Sequence, residues 1–172
     1  MKRAFFILSL LTAFILTACE DESPYSGYRV NFTFDSTIHP YKQARSPGQF
    51  ICVRREANIG QYSLFDALGN ETTVNIPQIQ LQQSPFHYGL GGLIIGTPMA
   101  MDGTLRAFDW ACPNCELASK RVKIDREMGH ATCPECGVKF DLNIGGIAIE
   151  GKSRPMWQYR IFGPDNSLVI QN

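Results

Sequence analysis

Two C-x-x-C pairs, Cys112 with Cys115 and Cys133 with Cys136, have the clearest capacity for chemistry in this 172-residue chain. Each reads Cys-Pro-x-Cys, and 17 residues separate Cys115 from Cys133. Two intervening residues let the backbone turn in a tight knuckle, so that both sulfurs converge and N–H groups point at the thiolates. Pro113 and Pro134 fix φ and restrict each turn in advance. Gly137 follows the second knuckle, where a positive φ is needed. Glu116 holds the same place after the first. Four thiolates converging in a tetrahedron suit zinc or iron, and two knuckles at this spacing predict one metal site. The competing chemistry for the same four residues is disulfide formation, across the knuckles or within each.

The remaining two cysteines have other surroundings. Cys52 lies in the apolar run Phe50-Ile51-Cys52-Val53 and is expected to be a small buried hydrophobe. Cys19 closes a leader: Lys2 and Arg3 are followed by a largely apolar run from Ala4 to Ala18. That is the layout of a secretory signal, and the run is shorter than the ~20 residues of a spanning helix. The competing reading is an uncleaved anchor helix. Leu16-Thr17-Ala18-Cys19 resembles a bacterial lipobox. The resemblance implies cleavage before Cys19 and lipidation of its thiol. It also implies attachment to a membrane of the bacterial cell envelope, at the outer membrane and cell surface or on a periplasmic face. Glu20-Asp21-Glu22 resembles the surface-export signal of Bacteroidetes lipoproteins, and also inner-membrane retention signals elsewhere. On this reading residues 1–18 are a lipoprotein signal peptide, 19–27 a tether, and 28–172 one β domain with a metal-loop subdomain at about 106–145.

The elements that must position the cysteines are short. Tyr28 to Phe34 alternates apolar and polar residues as a half-buried strand does. Further strands are expected at 49–53, 60–64, 72–76, 90–95, 105–110, 138–142, 147–150, 157–162 and 168–170. Residues 35–48 and 78–89 are proline-bearing and polar, so they read as loops. Asp102-Gly103 supplies the chemistry of a hairpin turn. Ten prolines, fifteen glycines and no long helical periodicity predict an all-β sandwich or barrel. Charge is balanced at 16 basic and 16 acidic residues, which gives no reason to expect a nucleic-acid surface. His130, three residues before Cys133, is a candidate donor to a sulfur or an ordinary surface histidine. His39 and His87 sit in predicted loops. Trp110 and Trp157 are expected to pack at the core and its rim.

The order of these features resembles a family. Asp102-Gly103-Thr104-Leu105-Arg106-Ala107-Phe108-Asp109 precedes the first cysteine loop. Cys136 is followed by Gly137-Val138-Lys139-Phe140-Asp141-Leu142, then Gly145-Gly146, Gly151, Pro155 and Trp157-Gln158-Tyr159-Arg160-Ile161. This is similar to the Rieske iron–sulfur domain over about residues 90–170. The resemblance implies a small Rieske-like β fold with two metal-binding loops. Its ligand pattern is Cys-x-His and Cys-x-x-His, with two histidines on one iron. Cys112 and Cys133 match the family's cysteines. Asn114 stands where the first histidine belongs, and Cys136 replaces the second.

Two outcomes follow for the metal. One is a single zinc or iron ion on Cys112, Cys115, Cys133 and Cys136, as in a zinc ribbon or rubredoxin. The other is an all-cysteine [2Fe–2S] cluster. The functional expectations are a binding or accessory protein with a structural zinc, an electron carrier of an envelope redox chain, or an accessory subunit whose loops 35–48 and 77–89 meet an envelope partner. No nucleophile elbow, Ser/His/Asp spacing or H-E-x-x-H is present. A closed four-thiolate site also leaves no open coordination position, so the reading leans away from an enzyme.

Overall fold

The computed structural model describes residues 25–99, 103–125 and 128–172. Cys19, Glu20 to Glu22 and the signal segment lie outside the described residues, as do Met101 and Asp102 of the expected hairpin turn. Among the described residues, thirteen strands form two antiparallel sheets, so the all-β expectation holds. The first sheet contains β1 (Val30–Phe34), β2 (Phe50–Arg55), β3 (Gln61–Phe65), β4 (Glu71–Asn75), β5 (His87–Tyr88), β6 (Leu93–Gly96), β7 (Arg106–Asp109), β12 (Gln158–Phe162) and β13 (Leu168–Gln171). Its order is β4-β3-β2-β6-β7-β12-β13-β1-β5. The second sheet is β11 (Ile147–Glu150), β10 (Lys139–Asp141), β9 (His130–Thr132) and β8 (Lys123–Asp125).

The large sheet rolls up because twist accumulates across nine strands. Strands far apart in its order meet at the core. The Phe32 ring of β1 lies 5.4 Å from the Tyr62 ring of β3, and Tyr88 of β5 lies 6.1 Å from Tyr62. The alternation of β1 is realised directly, with Val30, Phe32 and Phe34 turned into this core.

The runs that do not alternate have a physical reason. All of Phe50 to Val53 in β2 and all of β6 are buried, because both faces of these strands are covered. Ile51, Val53, Leu93 and Ile95 face the barrel core. Phe50, Cys52 and Ile94 face a second core with Phe108, Phe140, Leu142 and Met156. Cys52 is a buried hydrophobe there, as expected. The second core also includes Cys112 and Cys133, so two of the candidate ligands back onto apolar packing.

The small sheet is an insertion. The chain leaves the barrel after β7 and returns at β12, and these two strands pair at Phe108 with Gln158 and Ala107 with Tyr159. Three sequence expectations need correction. Residues 78–89 are not a plain loop, since they hold helix α1 (Gln78–Gln83) and β5. The 35–48 segment is not a free loop either: it forms a 3-10 turn at Tyr41–Arg45 whose Tyr41 and Ala44 are buried in the barrel. Residues read as the end of the tether join the sheet, with Tyr25 bridging Gln158 and Ser26 N–H donating to the Gln158 carbonyl. Among the described residues, no helix is long and apolar enough to cross a membrane.

Candidate metal centre

Both knuckles close on the same backbone pattern. In the first, the N–H groups of Cys115 and Glu116 donate to the Cys112 carbonyl at 3.2 and 3.0 Å. In the second, Gly137 N–H donates to the Cys133 carbonyl at 2.9 Å. The residue after each second cysteine takes positive φ, 53° at Glu116 and 74° at Gly137. Glu116 is the one non-glycine residue in that state among the described residues. A side chain there costs about 1–2 kcal/mol. Glu116→Gly is therefore expected to raise unfolding free energy by about 1 kcal/mol, measured by denaturant titration of metal-loaded protein. Glu116→Gln, which keeps the Cβ, gains nothing.

The knuckles bring the four Sγ atoms within 4.8 Å of one another. Cys112 and Cys136 are 3.7 Å apart, and Cys115 and Cys133 are 3.8 Å apart. A tetrahedron of ~2.3 Å metal–sulfur bonds has edges of about 3.8 Å. The donor set and its spacing therefore fit one ion held by Cys112, Cys115, Cys133 and Cys136. Cys112 and Cys133 are fully buried, Cys115 is half-buried and Cys136 is exposed. Burial pushes the Cys112 thiol up, and the Cys115 thiol to about 11. Burial also opposes ionisation of Cys136, but hydrogen bonds from Val138 N–H and the Asn114 side chain outweigh it and bring that thiol down to about 7. A bound cation displaces such protons, so ligation and deprotonation are one event.

No family model and no curated protein matches the sequence. A search of solved structures aligns the chain with the cyanobacterial plasma membrane Rieske protein PetC3 from Synechocystis PCC 6803 at 17% identity and a TM-score of 0.39. The alignment covers 66% of this chain and 87% of that one.

Several contacts that hold the site join residues distant in sequence. The Asn114 side chain of the first knuckle favours the thiolate form of Cys136 in the second. Lys120 pairs with Glu135 at 2.6 Å, tying the two loops together. Arg154, from the loop after β11, pairs with Glu116 at 2.8 Å. These ion pairs are partly exposed and contribute little each. His130 does not serve the sulfurs. It stands in β9 opposite Asp141, with its Nε2 3.8 Å from the carboxylate. Trp110 packs edge-on against Phe65 and donates Nε1–H to the Val122 carbonyl at 2.8 Å. Trp157 is buried against Tyr28.

The most consequential residue that sequence reading left without a role is Asp109. It is fully buried where β7 ends, three residues before Cys112. Its carboxylate accepts N–H bonds from Leu90 at 2.7 Å, Gly91 at 2.9 Å and Ala111 at 2.8 Å. The Tyr159 hydroxyl donates a fourth at 2.6 Å. Burial pushes its pKa up and these four bonds oppose the rise. The group fastens the glycine turn at 89–92, the root of the first knuckle and β12 to one point. The signal was present in the sequence as Ala107-Phe108-Asp109 and Gln158-Tyr159-Arg160.

Proposed function

We propose that this chain is an envelope lipoprotein whose Rieske-like β domain binds a single metal ion through Cys112, Cys115, Cys133 and Cys136. In this reading the ion is a structural zinc in a binding or accessory protein, and the chain is attached to the membrane through a lipid at Cys19. The observation that carries the metal reading is the sulfur spacing, 3.7 and 3.8 Å for two cross-knuckle pairs with all four within 4.8 Å. A two-iron cluster carries two thiolates at each end and separates the pairs by the cluster's length. The compact arrangement supports one ion. The metal supplies a four-bond crosslink between loops whose strands are three residues long, and such strands hold few bonds of their own.

The exposure of Cys136 supports a second reading: rubredoxin-type iron at the same four sulfurs, exchanging single electrons with an envelope redox partner. Purifying the full chain without oxygen, then measuring metal content and visible spectrum, separates the two. One colourless zinc per chain is the expected result. Coloured protein with one iron, bleached reversibly by dithionite, would replace the structural reading with the electron carrier. Two irons with labile sulfide would replace it with the [2Fe–2S] alternative.

A further inference from the structure

A second cluster of charged groups lies away from the sulfurs. A cleft of about 330 Å³ opens beside β5, where this edge strand approaches β2. Arg29, Arg55, His87 and Arg121 line it together with the backbone of Gly89 to Gly92, and no carboxylate does. The four side chains come from four places: ahead of β1, the end of β2, β5 and the first knuckle loop. In a chain with equal numbers of acidic and basic residues, this is a marked segregation of charge.

Five of the described cations outside the cleft have acidic partners. Arg45, Arg54, Lys120, Lys139 and Arg154 each pair with a carboxylate. Among the described residues, Arg29, Arg55 and Arg121 have no such ion pair. Arg121 stacks over Trp110 and donates Nε–H to the Gly91 carbonyl at 2.5 Å, which leaves most of its guanidinium donors available. Burial, followed by the charges of Arg29 and Arg55, holds the His87 imidazole below its usual range. Asp109 does not line the cleft: its oxygens accept four bonds from other groups, and its charge acts on Arg121 without an ion pair.

The cleft is built rather than incidental. A Cβ at Gly91 would lie 2.5 Å from the Ala111 nitrogen, and one at Gly92 would lie 2.4 Å from the Val53 carbonyl oxygen. The glycine turn is thus seated against both β2 and the knuckle root. Guanidinium forks lining one cleft with no facing carboxylate are the chemistry that recognises tetrahedral oxyanions.

We infer that this cleft binds a phosphate group through Arg29, Arg55 and Arg121. The site is separate from the four sulfurs and stands whether or not they hold zinc. The test uses the metal-loaded full chain in a non-ionic detergent, with two probes measured by calorimetry and NMR. Inorganic phosphate represents a free phosphate, and glycerophosphoglycerol represents the phosphodiester of a lipid headgroup. Saturable binding is expected, with shifts at the His87 ring and the Gly89 to Gly92 amides. The tighter probe identifies the source of the phosphate. Arg29→Gln with Arg55→Gln, both exposed positions, weakens binding by about tenfold or more while metal content stays unchanged. Lys152→Gln with Arg160→Gln removes the same charge elsewhere and leaves affinity within about twofold. Absence of saturable binding to both probes overturns the inference, and so does equal weakening by the two double variants.

Discussion

Replacing Cys133 and Cys136 by serine is expected to abolish stoichiometric metal binding and lower the melting temperature by roughly 10 °C or more. The small sheet explains the size. β8, β9 and β10 are three residues each, and β11 is four. Isolated strands of that length do not hold together in water. Their packing depends on Ala131, Phe140 and Leu142, which share a core with Cys112 and Cys133. Losing the ion leaves two loops without their crosslink and a hydroxyl where the Cys133 sulfur faced apolar neighbours. Amide exchange in the doubly substituted protein should accelerate across β8 to β11 first, while β1, β2 and β6 keep most of their protection. An unchanged melting temperature would show that the metal has no structural role. Acid should have the same effect reversibly, because protonation of the thiolates competes with the ion.

Asp109→Asn should destabilise the protein by about 3 kcal/mol. The native carboxylate satisfies three backbone N–H groups and the Tyr159 hydroxyl in a site with no solvent exposure. An amide of the same shape has one acceptor oxygen and turns an NH2 group toward those donors, so at least one buried N–H loses its partner. Tyr159→Phe removes only one donor and is expected to cost about 1 kcal/mol. Urea titration with a common slope separates the two. Near-neutral behaviour of Asp109→Asn would mean that the buried carboxyl is already protonated and spends one oxygen as a donor.

These two sites differ in how far they could be read from sequence. The four cysteines were legible because ligand spacing is local: each knuckle needs only its own few residues to bring two sulfurs together. The strands with alternation or two-sided burial were legible for the same reason, and β1, β11 and β12 lie within two residues of their expected bounds. β8 and β9 were not. Lys-Ile-Asp and His-Ala-Thr carry no periodic signal, and they are strands because each pairs with its neighbour, Lys123 with Thr132 and Thr132 with Lys139. Helix α1 was hidden by Pro77, which reads as a breaker but occupies the N-cap position before four glutamines that favour helix. The influence of Asn114 on Cys136 and the bond from Arg154 to Glu116 span too much sequence for any pattern to show.

The placement of the small sheet also bears on the order in which the molecule assembles. β6 and β7 are close in sequence, whereas β12 must find β7 across the whole inserted segment. Closing so long a loop is an entropic barrier that local pairing cannot lower. An ion captured early by the two knuckles would tie the middle of that segment into a compact unit and shorten the effective search. Loading would then set the rate at which the barrel closes as well as the stability of the subdomain, and an apo chain would spend longer with the buried edges of β7 and β12 open to wrong partners.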